Sequence, residues 1–544
     1  MVDAELDHVS PGILHERLPQ RCWRVLEFEH LDSMAAEVVE EGIEVAVDSH
    51  GEVWIVGAQR GVGPAGVAAG GEMQGEAPDL EPGAGEAEIR PLDPIETDQV
   101  AVERDAGGDV SDADAGMIHA KAESVHDVSM RHPPMTCLTG RAQDGRERVR
   151  GVRGEGRRAA VIGGSLGGLT AANLLRDHGW DVTVYERSPV PLDGRGAGIV
   201  VHPSTVRYLL EHLGTNLDDI SCPSSTLRYF AVDGSVEFEE PSTYRFTAWN
   251  TLYQQLLGGI GGRHRLGHAL CGLDMADDGV ELRFANGLVE HAELVVGADG
   301  FDSTVRRRLF PSVNSSYSGY VGWRGLVSER ELSPTTFGLL ADAISYCVIP
   351  DSHIVAYPIP TTEGSTEIGQ RLVNYVWYRN VAAGAELDEL MTGKDGLVRT
   401  VSLHPGVVQD RFVEEMKAAA EALAPPLAEI VQRTPEPFLQ VIVDIESDRM
   451  AVGRVAMLGD GAFAARPHAA AGTAKAAQDG WELVAALDAH DTVPAALAAW
   501  EVGQLELGRK LVARARDLGE RSQFRGTWIP GDPELAFGLY GPGH

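Results

Sequence analysis

The chain has 544 residues, of which 43% are hydrophobic and 23% are charged, a composition that is ordinary for a globular protein. Its formal net charge of -35 predicts repulsion from nucleic acid and anionic membranes, and the absence of a spanning apolar run or a signal pattern makes the cytoplasm the expected location. The five cysteines are dispersed without a CxxC pair, which predicts reduced thiols and neither a disulfide framework nor a metal site.

Residues 1–157 differ in composition from the rest of the chain. Residues 1–150 hold more than half of the net negative charge, and Gly61–Gly116 consists largely of Gly, Ala, Pro, Asp and Glu, which predicts disorder. One stretch, "IEVAVDSHGEVWIVG" (Ile43–Gly57), predicts two strands around a turn. Two interpretations of this extension stand: an acidic interaction tail, or translation assigned too far upstream, with Val152 as an alternative start. We favour the second and expect residues 1–150 to be dispensable.

The first motif after the extension is "AAVIGGSLGGLTAANLLRDHGWDVTVYER", from Ala159 to Arg187. It predicts a strand, a glycine-rich turn, a helix from Leu169 and a second strand that ends in an acid. Such a turn brings backbone close to a pyrophosphate, and the acid can bind ribose hydroxyls. The candidate cofactor-binding residues here are Gly163, Gly164, Ser165, Leu166, Gly167, Gly168, Glu186, Arg187 and Arg195. Ser165 replaces the middle glycine of GxGxxG, and a structural turn that binds nothing is the alternative.

Two further turns follow apolar strands and distinguish FAD from NAD. In "LVVGADGFDSTVRRRLF" the strand is followed by Asp299 and Gly300. In "GRVAMLGDGAFAARPHAAAGTAKAAQD" it is followed by Asp460, and Gly472 and Thr473 open a helix. An acid directly after a buried strand suits the hydroxyls of a ribityl chain, and the N–H groups of a helix N-terminus suit an electron-rich flavin carbonyl. The three motifs in this order predict bound FAD.

In these three motifs and in several other segments, residues 158–544 resemble the FAD-dependent aromatic hydroxylases, which are single-component flavoprotein monooxygenases. Segments outside the flavin motifs that carry the resemblance are "YERSPVPLDGRGAGIVVHP", "CPSSTLRY", "YVGWRGL", "IVAYPIP" and "PGDPELAFGLYG". The sequence departs from the family pattern in two places. Ala470 stands where the family usually has glycine, and Asn250 and Thr251 stand where many members have an arginine.

The resemblance implies an α/β fold, in which a Rossmann-like FAD-binding domain is interleaved with a smaller antiparallel-sheet substrate domain, as in para-hydroxybenzoate hydroxylase. The implied ranges are 158–220, 249–318 and 448–515 for the FAD-binding domain, 221–248 and 319–447 for the substrate-binding domain, and 516–544 for a C-terminal tail. Local patterns agree, because "HIVAYPIP" and "RLVNYVWYRNV" alternate as strands do, and "DRFVEEMKAAAEALAPPLAEIVQR" predicts a helix broken at Pro425–Pro426. A second GxGxxG is absent, which fits a nicotinamide that is bound only transiently.

The resemblance also implies a reaction, in which NADH or NADPH and O2 are consumed and one oxygen atom enters a small hydroxylated aromatic ring. The segments quoted above imply a branch that hydroxylates 2,6-dihydroxypyridine at C3. The alternatives are a hydroxylase of a phenolic acid such as a hydroxybenzoate or hydroxynicotinate, a non-hydroxylating flavin oxidase or reductase, and a non-catalytic flavin-binding interaction protein. A flavin halogenase needs a lysine beside the oxidant, and no lysine lies between Lys121 and Lys394. A homodimer is the assembly that we consider.

The candidates for catalysis and substrate binding are histidines and aromatic residues of the implied ring site. His468 lies in the loop expected to cover the flavin and His353 precedes a substrate-domain strand, and both are candidate catalytic residues. The candidate substrate-binding residues are Tyr357, Tyr375, Trp377 and His202. For each histidine the alternative is a structural, hydrogen-bonded side chain, and for Tyr375 and Trp377 it is a place in the hydrophobic core.

Overall fold

The structure of the protein, a computed structural model, describes residues 43–47, 53–58, 156–194 and 197–544. The chain divides into two compact units, Met1–Cys137 and Leu138–His544. In the first unit, strands β1 (Ile43–Val47) and β2 (Val53–Ala58) pair antiparallel, which confirms the two strands predicted there. The predictions for the rest of residues 1–155 lie outside the described residues.

The second unit contains both long strands and long helices. Its strands are β3 (Arg158–Ile162), β4 (Asp181–Tyr185), β5 (Gly198–Val200), β6 (Cys222–Pro223), β7 (Thr226–Phe230), β8 (Val236–Pro241), β9 (Arg245–Ala248), β10 (His264–Arg265), β11 (Leu270–Met275), β12 (Val280–Phe284), β13 (Val289–Ala292), β14 (Leu294–Gly297), β15 (Ser316–Ser328), β16 (Ala343–Ile349), β17 (Ser352–Ile359), β18 (Leu372–Asn380), β19 (Ser402–Leu403), β20 (Phe438–Glu446), β21 (Ala451–Val452), β22 (Val455–Met457) and β23 (Phe463–Ala464). Its α-helices are α1 (Leu166–Asp177), α2 (Pro203–Glu211), α3 (Leu217–Ile220), α4 (Trp249–Ile260), α5 (Thr304–Leu309), α6 (Pro334–Leu340), α7 (Ala385–Leu390), α8 (Asp410–Ala419), α9 (Pro425–Arg433), α10 (Gly472–Ala489) and α11 (Val493–Glu520).

A six-stranded sheet in the order β10-β4-β3-β14-β22-β21 forms one part of the second unit. Its first five strands are parallel, and the short β21 pairs antiparallel at the edge. Apart from the exposed Arg158 at the start of β3, strands β3 and β14 are apolar and buried, as expected for a parallel sheet that is covered on both faces. Because parallel strands end at a common edge, the turns after β3, β14 and β22 converge there. Helix α1, which follows β3, packs against α4 and α10.

A nine-stranded sheet in the order β19-β20-β15-β18-β17-β16-β7-β8, with β23 beside β20, forms the other large part. Its neighbouring strands are antiparallel apart from β16 and β7, which run parallel. One face packs against α8 and α9 around Met416 and Ile430. The opposite face packs against α11 and the segment that follows it, around Leu511, Trp528 and Phe537. Both faces of this sheet are therefore buried.

Strand β18 corrects one prediction about the substrate site. Tyr375 and Trp377 lie on the face that is covered by α8 and α9, and the Trp377 indole donates a hydrogen bond to Ser352 Oγ at 2.9 Å. Their neighbours Val376 and Tyr378 belong to the opposite face. The prediction that Tyr375 and Trp377 wall the substrate is wrong, because alternation shows which residues share a face but not which of two buried faces holds the site.

The ends of three helices can be compared with the sequence patterns. Helix α11 runs across the predicted domain boundary at residues 515–516, because it continues to Glu520 and is followed by a π-helical turn, Arg521–Arg525. The predicted helix break is confirmed, since α8 ends at Ala419 and α9 begins at Pro425, where a missing N–H is tolerated. Among the described residues, no helix combines the length and apolarity that a membrane crossing requires.

Candidate active site

The turns after β3, β14 and β22 open into a cavity of about 750 Å³, which continues along the face of the nine-stranded sheet opposite α8 and α9. The cavity brings together most of the site residues predicted from the sequence. Those that line it are Gly163, Ser165, Leu166, Gly167, Glu186, Arg187, Asp299, Gly300, Asp460, Gly472, Thr473, His353, Tyr357 and His468. Gly164, Gly168, Tyr375, Trp377 and His202 are not among the lining residues, and Arg195 lies outside the described residues.

The glycine turn after β3 is packed tightly against the turn after β14. Gly163 has a φ of 107°, and a Cβ at this position would lie 2.3 Å from the carbonyl oxygen of Ala298. A Cβ at Gly168 would lie 2.0 Å from the carbonyl oxygen of Gly163, and one at Gly164 would lie 2.3 Å from His264 Nε2. Ser165 is the N-cap of α1 but its side chain makes no capping hydrogen bond. The first N–H groups of α1 are therefore available to the oxygens of a pyrophosphate.

Glu186 lies where β4 ends and is held in place by backbone groups. Its carboxylate accepts hydrogen bonds from the N–H groups of Gly164 at 2.9 Å and Ser188 at 2.8 Å. A carboxylate has about four acceptor positions, so two remain for the hydroxyls of a ribose. Arg187, the next residue, is exposed and lies 3.7 Å from Asp302. This end of the cavity suits the adenosine half of a dinucleotide.

Asp299 has a structural partner that its sequence position did not indicate. Its carboxylate accepts hydrogen bonds from Ser303 Oγ at 2.5 Å and from the Thr304 N–H at 2.7 Å, so it caps the start of α5. The buried Arg306 in α5 donates to the carbonyl oxygens of Gly461 at 3.0 Å and Phe301 at 2.5 Å. Arg306 thereby joins the turn after β14 to the turn after β22, and both turns line the cavity.

Asp460, in the turn after β22, is a half-buried carboxylate to which no described residue donates a hydrogen bond. Its pKa is raised from 3.8 to about 6, mainly by burial; the charge of Lys475 opposes this rise and that of Asp479 adds to it. A Cβ at Gly472 would lie 3.9 Å from Asp460 Oδ1, so the carboxylate lies beside the N-terminus of α10. The N-cap of α10, Ala471, offers no side-chain capping bond. An acceptor without a donor beside free helix N–H groups fits the ribityl hydroxyls and a carbonyl of FAD.

The pKa of Asp460 leads to a prediction for the pH dependence of FAD binding. Burial raises the pKa of Asp460 above its unfolded value. Ionisation of this carboxyl group in the FAD-free protein therefore lowers the free energy of unfolding as pH rises toward about 6. Hydroxyl donors favour the ionised carboxylate, so FAD is expected to bind about tenfold more tightly at about pH 7 than at about pH 5. Titration of FAD fluorescence measures this difference. Asp460→Asn is expected to bind weakly and without this dependence; an unchanged dependence in that variant would remove Asp460 from the site.

The far end of the cavity is an aromatic pocket. It is formed by the nine-stranded sheet, the loop before α10 and the segment after α11. Its lining residues include Tyr346, His353, Val355, Tyr357, Val376, Tyr378, His468, Trp528 and Phe537. The sheet contributes its residues from neighbouring strands, because His353 of β17 pairs with Tyr378 of β18 in the ladder. The pocket combines aromatic and aliphatic walls with polar groups, namely tyrosine hydroxyls and imidazoles, which can orient a small ring.

His353 and His468 face one another in this pocket with ring centroids 5.3 Å apart. Burial lowers the pKa of His353 to about 3. Burial also lowers the pKa of His468 well below 6.5, and the nearby His353 and Arg466 lower it further. Both imidazoles are therefore neutral near pH 7, and each carries one N–H donor and one acceptor nitrogen. The structure thus brings the two predicted catalytic histidines together.

His202 has a different place from the one predicted. Its Nε2 lies 3.0 Å from the carbonyl oxygen of Ala470, to which it donates a hydrogen bond. Ala470 has a φ of 55°, in the left-handed region that favours the glycine usual in this family. The prediction of direct substrate contact by His202 is wrong for this structure. His202 is only 9% exposed, and its imidazole is hydrogen-bonded to the loop that precedes α10.

Arg324 is a cavity residue that the sequence analysis missed, although it stands in the quoted segment "YVGWRGL". It lies on β15 and donates from Nε to Gln440 Oε1 at 3.0 Å. No described carboxylate lies within ion-pair distance of its guanidinium. Burial raises the pKa of Tyr357 to about 12, and the charge of Arg324 opposes that rise. The sequence did carry one indication. Alternation along β15 places Arg324 on the same strand face as Tyr320 and Gly322.

Comparison with known proteins places this geometry in a family. A model described as an NAD(P)-binding Rossmann-like domain matches residues 161–212, and one described as FAD binding domain-like matches residues 317–444. The 2,6-dihydroxypyridine 3-monooxygenase of Paenarthrobacter nicotinovorans is 40% identical over 384 residues, which are 70% of this chain and 96% of the relative. A 3-amino-4-hydroxybenzoate 2-monooxygenase of Streptomyces platensis is 29% identical over 66% of this chain and 87% of its own. The solved structure of 2,6-dihydroxypyridine-3-hydroxylase from Arthrobacter nicotinovorans superposes with a TM-score of 0.67 and 39% identity, over 70% of this chain and 96% of the other.

The chain belongs to the FAD-dependent monooxygenases that act on aromatic rings. The predicted family, the α/β fold with a Rossmann-like FAD-binding part, and the FAD cofactor are confirmed. The individual FAD contacts and the domain boundaries inside 158–544 stay predictions.

Proposed function

We propose that this protein hydroxylates 2,6-dihydroxypyridine at C3, with NADH or NADPH as reductant and O2 as the source of the inserted oxygen atom. The observation that carries the proposal is the aromatic pocket, in which an arginine without a carboxylate partner, Arg324, accompanies two neutral imidazoles. The names of the relative and of the solved structure reported above support the choice of ring.

The cofactor would be held by the three strand-end turns described above. Uncapped N–H groups of α1 would bind the pyrophosphate, Glu186 the ribose, and Asp460 the ribityl hydroxyls. FAD, when bound, supplies the redox chemistry, which is the acceptance of electrons from a nicotinamide and the activation of O2. The protein supplies orientation and a dry site, since Trp528, Phe537 and Tyr346 around the pocket are each less than 9% exposed.

The polar groups of the pocket would act on the ring itself. The two hydroxyls of 2,6-dihydroxypyridine lie ortho and para to C3, and loss of a hydroxyl proton raises the electron density at that carbon. The guanidinium of Arg324 favours the deprotonated oxygen, because an opposite charge stabilises the ionised form. The ring of Tyr357 stacks on Phe246 with centroids 4.2 Å apart, and this packing positions the Tyr357 hydroxyl in the cavity wall.

A phenolic acid is the second candidate substrate, because the same guanidinium could pair with a carboxylate. One experiment separates the two. FAD-loaded enzyme is mixed with NADH and either 2,6-dihydroxypyridine, 6-hydroxynicotinate, 4-hydroxybenzoate or salicylate, and mass spectrometry detects the addition of one oxygen atom. We expect product from the dihydroxypyridine with little hydrogen peroxide. Faster coupled turnover with a benzoate would replace this proposal by the second one.

Two expectations, about cellular location and oligomeric state, accompany this proposal. We propose that the protein acts in the cytoplasm and that it forms a homodimer. The net charge, which is negative in residues 151–544 as well as in the extension, supports the first by disfavouring anionic membranes and nucleic acid as partners. Sedimentation of the FAD-loaded protein tests the second.

A further inference from the structure

His468 makes a hydrogen bond that identifies which of its nitrogens carries the proton. Its Nε2 lies 2.8 Å from the Tyr320 hydroxyl oxygen. The other nitrogen, Nδ1, is buried and has no hydrogen-bond partner among the described residues. The imidazole lines the cavity and is 3% exposed. The molecule therefore contains an unpaired polar atom in the ring that borders the substrate pocket.

The direction of the hydrogen bond follows from the groups around Tyr320. This tyrosine is fully buried, and its hydroxyl has no other acceptor among the described residues. The guanidinium carbon of Arg466 lies 5.6 Å from the Tyr320 ring centroid, and a guanidinium offers only donors. On the α11 side, a Cβ at Gly519 would lie 2.3 Å from the Tyr320 hydroxyl and 3.0 Å from His468 Nε2, which leaves no room there for a bridging water.

The two neutral tautomers of His468 leave different numbers of groups unpaired. If Tyr320 donates to Nε2, the proton of His468 is on Nδ1 and that single N–H lacks a partner. If Nε2 donates to Tyr320, both the tyrosine hydrogen and the Nδ1 lone pair lack partners. Each unpaired buried polar group is unfavourable by roughly 1–3 kcal/mol, so the first arrangement is preferred. Arg466 is itself paired with Asp444 at 3.0 Å and keeps its positive charge beside the imidazole, which favours the neutral ring.

We propose that His468 donates a hydrogen bond from Nδ1–H to an oxygen of the ring substrate, and that Tyr320 is the positioning residue that fixes this tautomer. The ligand class is an aromatic ring with a carbonyl or deprotonated hydroxyl oxygen, such as the pyridone form of a dihydroxypyridine. The inference rests on the proposed function for the identity of the ring. It assigns His468, a candidate catalytic residue from the sequence, the role of a hydrogen-bond donor.

Substitutions that differ in donor capacity test the role of His468. The amide nitrogen of His468→Asn can occupy the position of Nδ1 and donate, His468→Asp offers only acceptors when ionised, and His468→Leu offers neither. With 2,6-dihydroxypyridine, the Asn variant is expected to stay within about threefold of the parent in affinity and in product formed per NADH. The Asp and Leu variants are expected to bind about 10- to 100-fold more weakly and to release hydrogen peroxide, with unchanged flavin content. If Asn fails as badly as Leu and a limb of the pH profile disappears, His468 is a base and the proposal is overturned.

The tautomer itself can be measured without any substrate. In FAD-loaded protein labelled with ¹⁵N-histidine, the His468 signals are assigned by their loss in His468→Asn, and the expected pattern is a protonated Nδ1. Tyr320→Phe is expected to shift that pattern toward the other tautomer and to raise KM more than it lowers kcat. A protonated Nε2 in the parent overturns the proposal. Because this readout needs no turnover, it separates failure of the tautomer from failure of the proposed function, which would show as no hydroxylated ring at all.

Discussion

Gly168→Ala is expected to yield a protein that retains no FAD and is destabilised by roughly 3–5 kcal/mol. A Cβ at this position would lie 2.0 Å from the carbonyl oxygen of Gly163 and 3.2 Å from the Ala298 side chain. The first contact is with backbone, so relief requires the turn itself to move. That turn presents the N-terminus of α1 to the cavity, and its displacement removes the pyrophosphate site. Visible flavin absorbance after purification and denaturant unfolding measure the two effects.

The control for Gly168→Ala is Gly258→Ala. Gly258 lies in α4, is exposed, and a Cβ there would meet no atom within 4 Å. Alanine is the better helix residue, so this variant is expected to keep its FAD and to gain about 0.5–1 kcal/mol of unfolding free energy. Full flavin content in Gly168→Ala would show that the turn can relax, and the tight packing would then not explain the glycine.

Arg324→Met is expected to weaken substrate binding by about 10- to 100-fold, because a hydrogen bond to a charged partner contributes roughly 1.5–3 kcal/mol. Arg324 is half-buried in the cavity wall, and its only described hydrogen bond is to the neutral Gln440. Methionine keeps a long apolar stem and removes the charge. Substrate affinity is read from the change in the flavin spectrum on titration with 2,6-dihydroxypyridine. The loss should be larger at a pH where the free ring is ionised.

Arg379→Met is the matched control for Arg324→Met. Arg379 lies on β18, and its guanidinium sits 5.0 Å from the Trp377 ring centroid, on the face of the sheet away from the cavity. This variant loses one charge from the same sheet but is expected to bind substrate as the parent does. Equal losses in the two variants would point to a general effect of net charge. Unchanged binding in Arg324→Met would remove the arginine from the substrate site.

The parts of the site that could be predicted from the sequence depend on local backbone chemistry. The turn from Gly163 to Gly168 and the position of Asp460 follow from glycine spacing and from an acid that stands shortly after a strand, and these features are set within a few residues. The choice of His353 and His468 came from the expected loop and strand, and the structure places both in one pocket.

The parts that could not be predicted depend on contacts between distant segments. Tyr375 and Trp377 alternate correctly, but both faces of their sheet are buried, so hydrophobicity does not distinguish the cavity face from the helix-covered face. His202 finds its partner 268 residues further along the chain, at Ala470. Arg324 has a hydrogen-bond partner 116 residues away and no local signal apart from alternation. Sequence spacing carries no information about such distances.

The aromatic pocket takes two of its walls, Trp528 and Phe537, from the segment after α11. During synthesis on the ribosome, the glycine turn after β3 emerges some hundreds of residues before these two rings. The cofactor end of the cavity needs the chain as far as Gly472 and Thr473, and the ring site needs it as far as Phe537. The turns that would hold the cofactor can therefore assemble while the ring site is still open on the side that Trp528 and Phe537 close. Shielding of the ring from water is thus the last part of the site to be completed.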